Sequence, residues 1–388
     1  MSYRRLMRHR LSRVLLFLVL GAVASYWIST RLHKVEIWLG IGLVWTAFFT
    51  YLAICARNEL ARIAWITLAL FILCLSGYET WLWLKNPMLL KVRYEGNFDD
   101  IGYFIDHPIL GKAPRPGVRA HFRKSVDGTL LYDVVYRIDG NGLRSAPPHD
   151  EAGSCVLFFG GSYTFGEGVE NEQTLPYRVG ELGDGSIQTY NFGFHGYGPH
   201  HMLAAVEEGL VDDIVACRPT HIIYQAIPDH VRRTSGRLLS GFHAPRYLLP
   251  ENGALYKKGF FDDESLLPPG IRGFLNRSLV FRRLTADKSP LNRYDLDRYA
   301  AIVARARDIF SAGNDGTSFT VLLWEDGYSK LVREIANRFQ EHEIRFYPVE
   351  ESVGISDRGK YRLSAEDPHP NALAYDRIAR FLLDEVIN

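Results

Sequence analysis

In the stretch Phe158-Phe159-Gly160-Gly161-Ser162-Tyr163-Thr164-Phe165-Gly166, a serine follows two glycines at the end of an apolar run, so its hydroxyl falls where a buried strand turns into a loop. Far down the chain, Asp367-Pro368-His369-Pro370 opens the last helical pattern and brings a carboxylate and an imidazole close together in sequence. An alcohol activated by an imidazole that an acid orients is the machinery of hydrolysis and acyl transfer. Asp106-His107 is a second acid and imidazole pair, but it lies in a loop and reads as a local hydrogen bond. His195, His200 and His201 cluster without a cysteine or carboxylate at a zinc-ligand spacing, so neither a metal nor a cofactor is expected.

These residues need a frame. After Pro148 apolar strand patterns recur at Cys155 to Phe159, Ile187 to Phe192, His221 to Ala226, Phe319 to Trp324 and Ile344 to Val349. Helical patterns intervene at His201 to Ile214, Asp295 to Ser311 and Tyr328 to His342, and a final one runs from about Asn371 to Val386. This alternation predicts a parallel sheet covered on both faces. Ligands then bind beyond the carboxyl ends of the strands, where Ser162, Gly193 to Gly198 and Asp229 fall. Residues 93–150, rich in Gly, Pro and aromatics, read as a β-rich lead-in, with an alternating run from Leu130 to Ile138 and a turn at Asn141-Gly142. An aromatic and arginine-rich insertion at about 230–292 interrupts the regular part and is read as covering the active face. Its Arg232, Arg233 and Arg237 clamp an anionic substrate, lie against lipid headgroups or form a solvated basic surface.

The first part of the chain has a different character. Nearly uncharged apolar runs at Val14 to Thr30, Ile37 to Ala56 and Ile63 to Leu84 are each about long enough to cross a hydrocarbon core, and only Glu79 breaks the third. Residues 1–85 are therefore read as a transmembrane region of three spans, with the lipid bilayer as a partner. Arg4, Arg5, Arg8, Arg10 and Arg13 before the first run, and Arg57 and Arg62 after the second, favour the cytoplasmic side, so three spans deliver residues 151–388 outside. Ala22-Val23-Ala24 also fits a signal-peptide cleavage site, which exports the same domain; two spans leave it in the cytoplasm. The whole chain of 388 residues carries 45 basic and 44 acidic side chains, a balance that points away from nucleic acid. Cys155 and Cys217 precede neighbouring strand patterns, and an exported domain allows them to join.

Phe159 to Gly166 resembles the first sequence block of the SGNH (GDSL-like) hydrolases. Asn191-Phe192-Gly193-Phe194-His195-Gly196-Tyr197-Gly198 is similar to their second block, and Asp367-Pro368-His369-Pro370-Asn371, with Tyr375 and Ile378-Ala379, to their last. The likeness runs from about Ser154 to Asn388. It implies a flavodoxin-like three-layer α/β sandwich with strand order 2-1-3-4-5, and esterase, lipase, thioesterase or carbohydrate O-acyl chemistry. By position it makes Ser162 the nucleophile, His369 the base, and Asp367 or Glu366 the orienting acid, with Asp367 favoured.

The backbone N–H groups of Ser162 and Gly196 match two of the family's oxyanion donors. Pro228 stands where the third, an asparagine side chain, belongs, and proline offers no donor at all. Either His230 or Gln225 substitutes, or the register differs, or the site is weakened. Asp229, Arg232 and Arg233 are the candidate substrate contacts. With an anchored, exported domain, the substrate expected is an acyl, above all acetyl, ester of an envelope or extracellular glycan, in company with other membrane proteins of a polysaccharide pathway. Alternatives are a non-catalytic glycan-binding or assembly subunit, and a lipase or thioesterase whose lid is built from Phe242, Tyr247, Tyr256, Phe260 and Phe261.

Overall fold

A computed structural model describes residues 18–25, 35–86, 91–149, 153–237, 243–251, 253–285, 289–313, 316–325, 327 and 329–387. The chain forms two compact units: Met1–Val92 with Leu267–Thr285, and Arg93–Leu266 with Ala286–Asn388.

The first unit is helical. Its α1 (Val35–Cys55) and α2 (Glu59–Lys85) pack as a hairpin, with Phe49 stacked on Trp65 and the Asn58 side chain capping α2 through the Leu60 N–H. Among the described residues, Glu36–Cys55 and Glu59–Lys85 are the two helices long and apolar enough to cross a bilayer. Residues 18–25 of the first apolar run are helical, and the rest of that proposed span lies outside the described residues. The acid that breaks the third run has a definite task. The Glu79 carboxylate accepts hydrogen bonds from Ser278 Oγ (2.7 Å), the Leu279 N–H (2.7 Å), the Val280 N–H (2.8 Å) and Trp83 Nε1 (2.8 Å). It thus caps the short helix Leu279–Thr285 at the end where unpaired N–H groups and the helix dipole favour a negative charge. The segment 267–285, which the sequence reading put inside an insertion over the active face, groups with these helices instead.

The second unit begins with the lead-in strands. Strands β1 (Val92–Gly96), β4 (Arg119–Val126) and β5 (Thr129–Arg137) form one sheet, and β2 (Phe104–His107) pairs with β3 (Gly111–Pro114). Along β4, buried and more exposed residues alternate with the period of a pleated strand, which turns Ala120, Phe122, Lys124 and Val126 inward.

Then comes the sandwich: β6 (Ser154–Phe159), α3 (Ser162–Phe165), α4 (Leu175–Leu182), β7 (Ile187–Asn191), α5 (Pro199–Glu207), β8 (His221–Ala226), α6 (Asp229–Thr234), the hairpin of β9 (Pro245–Leu248) and β10 (Tyr256–Phe260), α7 (Arg293–Gly313), β11 (Ser318–Leu323), α8 (Ser329–Glu341), β12 (Phe346–Pro348) and α9 (Ala372–Leu382). The five-stranded sheet runs β12-β11-β8-β6-β7, all parallel; counted along its own strands this is the order 2-1-3-4-5. Its two faces follow from period-two alternation. Cys155, Leu157 and Phe159 of β6, with Ile222 and Tyr224 of β8, enter the core under α5 and α7, whereas Val156, Phe158 and Ile223 enter the one under α4 and α9.

The helix expected from His201 to Ile214 differs. It stops at Glu207, and Gly209, at φ +77°, turns the chain before a second short helix, Leu210–Ile214. Cys155 and Cys217 form a disulfide with Cα atoms 6.1 Å apart.

Candidate active site

The turn that carries Ser162 is shaped by close approach. At Gly160, φ is +149°, and a Cβ there would lie 2.3 Å from Thr164 Oγ1 and 2.9 Å from the Gln225 carbonyl oxygen. One at Gly161 would lie 2.7 Å from Arg233 Nη1 and 2.9 Å from the Tyr197 carbonyl oxygen, so neither position accommodates a side chain. Ser162 is the first residue of the single-turn helix α3, which leaves its N–H without an intrahelical acceptor. Buried Arg144 fastens the far end of the turn: its guanidinium donates to the carbonyls of Phe165 (2.9 Å), Gly166 (2.6 Å) and Val169 (2.6 Å) and to Asn171 Oδ1 (3.1 Å). Asn191, at the end of β7, joins the second glycine loop to the same turn, donating from Nδ2 to the Thr164 carbonyl and accepting from the Gly193 N–H.

Residues distant in sequence meet here. Ser162 Oγ lies 2.8 Å from His369 Nε2, and His369 Nδ1 lies 2.5 Å from Asp367 Oδ1. Asp367 is 1% exposed, while Glu366 is on the surface, so the imidazole is held by the aspartate of the two candidates. The other oxygen of Asp367 accepts from Lys124 Nζ at 2.7 Å. Burial opposes ionisation of Asp367, but the bonds from His369 and Lys124 outweigh it and hold the carboxyl well below its usual range. Tyr163 buttresses the imidazole: its ring centroid is 5.1 Å from that of His369, and its hydroxyl donates to the Pro368 carbonyl.

A second carboxylate faces the other nitrogen. Glu167 Oε2 lies 3.8 Å from His369 Nε2 and 2.8 Å from His195 Nδ1. Burial disfavours its charge, yet His369 and His195 together bring its pKa down to about 2. In turn, burial lowers the pKa of His369, while Glu167 and then Asp367 more than reverse this, so the imidazole is more basic than usual. The ring of His195 packs among those of Phe165, Phe194, Tyr136 and Tyr103.

On the far side of the serine, Gly196 adopts φ +80°, and neither its N–H nor that of Ser162 has an acceptor among the described residues. Pro228 precedes α6 as its N-cap residue and brings no donor. Gln225 is committed elsewhere, donating to the Tyr163 carbonyl (3.3 Å) and accepting from Trp324 Nε1 (3.0 Å). His230 Nδ1 pairs with the Tyr224 hydroxyl at 2.6 Å, and its Nε2 is fully buried without a partner. Asp229, Arg232 and Arg233 lie on α6, and Arg233 Nη1 donates to the Tyr197 carbonyl at 2.5 Å. Arg237 is a structural residue, paired with Asp295. His200 and His201 are buried in the first turn of α5, and burial, reinforced by Arg233, holds His200 neutral with a pKa of about 3. The Asp106-His107 pair does not couple: Asp106 binds Lys112, and His107 Nδ1 accepts the N–H groups of Ile109 and Leu110.

Sequence reasoning missed Lys124, Glu167, His195 as a site residue, and Arg144. Glu167 sits just beyond the quoted first block and was within reach of inspection. Lys124 carries no local signal, because a lysine in an alternating strand reads as its solvent face.

The parallel order 2-1-3-4-5, with Ser162, His369 and Asp367 gathered at its strand ends, fits the α/β fold of the SGNH hydrolases. No family model matches the chain, and no curated protein matches it in sequence. Solved structures similar to it include a member of the lipolytic protein G-D-S-L family from Veillonella parvula (15% identity, TM-score 0.34, covering 60% of this chain and 98% of that one). Others are an acetyl xylan esterase from the rumen bacterium Butyrivibrio proteoclasticus (14% identity, TM-score 0.35, covering 62% and 64%) and a lipase/acylhydrolase from Enterococcus faecalis (10% identity, TM-score 0.32, covering 60% and 95%).

Proposed function

We propose that this chain is a membrane-anchored serine esterase or O-acyltransferase that acts on acyl, above all acetyl, esters of an envelope or extracellular glycan. The observation that carries the chemistry is the hydrogen-bonded chain from Ser162 Oγ through His369 to Asp367, at 2.8 and 2.5 Å. Ser162 Oγ attacks the ester carbonyl as its proton passes to His369 Nε2, and Asp367 stabilises the imidazolium formed. Collapse of the tetrahedral intermediate expels the alcohol oxygen, which takes the proton back from Nε2 and leaves an acyl-serine. Water or a sugar hydroxyl then attacks that ester, giving its proton to the same nitrogen, and Ser162 recovers its own as it leaves.

Location rests on two observations of a different kind. Glu36–Cys55 and Glu59–Lys85 have the length and composition of spanning helices, and the Cys155–Cys217 bridge is the chemistry of an oxidising compartment outside the cytoplasm. Glycan esters are the substrates such a site would meet there.

The test is turnover of a chromogenic acetyl ester by the purified protein and by Ser162→Ala. Removal of the nucleophile is expected to lower kcat by about 10⁶-fold, or to background. Equal turnover by both proteins would refute the assignment.

A further inference from the structure

The proposed reaction leaves one position unfilled. A tetrahedral intermediate on Ser162 needs donors for its oxyanion, and the backbone N–H groups of Ser162 and Gly196 supply two while Pro228 supplies none. His230 Nε2 is buried without a partner and stands 3.3 Å from where a Cβ on Gly161 would lie, behind the nearer Arg233 Nη1, and Gln225 is bonded at both ends of its amide.

A guanidinium sits between the two turns. Arg233 Nη1 bonds the carbonyl of Tyr197, the residue after Gly196, at 2.5 Å, and lies 2.7 Å from where a Cβ on Gly161, the residue before Ser162, would stand. The guanidinium therefore touches both backbone segments whose N–H groups define the oxyanion position. The Tyr197 carbonyl is its one hydrogen-bond acceptor among the described residues, Asp229 is the opposite charge that acts on it most, and the guanidinium has donors beyond that single bond. Glycine at position 161 is what admits it, since any side chain there would collide with Nη1.

We propose that Arg233 is a catalytic residue of this site, donating a charge-assisted hydrogen bond to the oxyanion in place of the asparagine that Pro228 has removed. This rests on the acyl-serine reading above. A guanidinium stays charged through the working pH range, and a donor to an ionised oxygen is about twice as strong as a neutral one, so the exchange compensates for the lost amide.

The experiment compares the full chain with Arg233→Met and Arg233→Gln on a neutral chromogenic acetyl ester and on an acetylated uronic acid ester. The glutamine variant keeps a donor for the Tyr197 carbonyl and so guards against simple misfolding. Both variants are expected to lose about 10²- to 10³-fold in kcat with KM changed by less than about threefold, and affinity for a trifluoromethyl ketone analogue of the intermediate is expected to fall in parallel. Two results would overturn the proposal: kcat on the neutral ester left unchanged, or a loss confined to the uronic acid ester, which would make Arg233 an anion clamp. Ser162→Ala turning over as fast as the unsubstituted protein would strike the underlying reaction itself, a result distinct from an active enzyme indifferent to Arg233.

Discussion

Two carboxylates flank the imidazole of His369, and they are held in different ways. Asp367 faces Nδ1 at 2.5 Å and is backed by Lys124, a cation across the whole working pH range. Glu167 stands 3.8 Å from Nε2 and is bonded to a second imidazole, that of His195, at 2.8 Å. The first pair fixes tautomer and orientation; the second sets how readily the base holds its proton. One imidazole thus has a rigid side and an adjustable side, and the comparison separates geometry from proton affinity.

The rigid side breaks most severely. Asp367→Asn presents an amide to Nδ1 and favours the wrong tautomer, so kcat on the acetyl ester is expected to fall about 10⁴-fold with the fold intact by circular dichroism. Glu366→Gln, one residue away on the surface, is the matched control and is expected to leave kcat unchanged.

Lys124→Met comes next. It leaves Asp367 buried with one cationic partner fewer, a change expected to cost about 3 kcal/mol in chemical denaturation at neutral pH. The pH dependence has a definite sign. Asp367 has its folded pKa depressed, so it contributes stability that is present above its unfolded value and lost as pH falls through the folded one. Without Lys124 the folded pKa rises, and acid unfolding is expected to begin at a higher pH than in the unsubstituted protein.

The adjustable side gives the smallest effect and the sharpest test. Glu167 holds the His369 pKa up, and the base works only when neutral. Glu167→Gln is therefore expected to move the acidic limb of kcat/KM to lower pH with little change on the plateau. A limb that stays in place would show that Glu167 does not govern the proton on Nε2.

The same contrast shows what was legible beforehand. Ser162, Asp367 and His369 sit in short blocks where neighbouring residues carry the signal: two glycines forced by close backbone approach, and an Asp-Pro-His run ahead of an N-capping Asn371. The sandwich was readable because strands buried on both faces are continuous apolar runs, as in Cys155 to Phe159. Lys124 was not, because its role depends on folding β4 against a loop 243 residues away, and nothing local distinguishes it from the other basic residues of that strand. Arg233 was noted as a surface or substrate contact, and Glu79 as an interruption of an apolar run. Each gains its meaning from a backbone group that only tertiary structure brings near: the Tyr197 carbonyl for one and the Leu279 and Val280 amides for the other.

The bond between Cys155 and Cys217 closes a covalent ring around Ser162, Glu167, His195 and Gly196, and leaves Lys124, Arg233, Asp367 and His369 on the two open tails. Spanning 62 positions, such a closure restricts the unfolded chain by about 4 kcal/mol. A protease cut inside the ring would leave a single covalent molecule until a reductant is added, whereas a cut between Cys217 and Asp367 would leave Ser162 and His369 on separate covalent pieces joined only by the packing of the sheet and its helices.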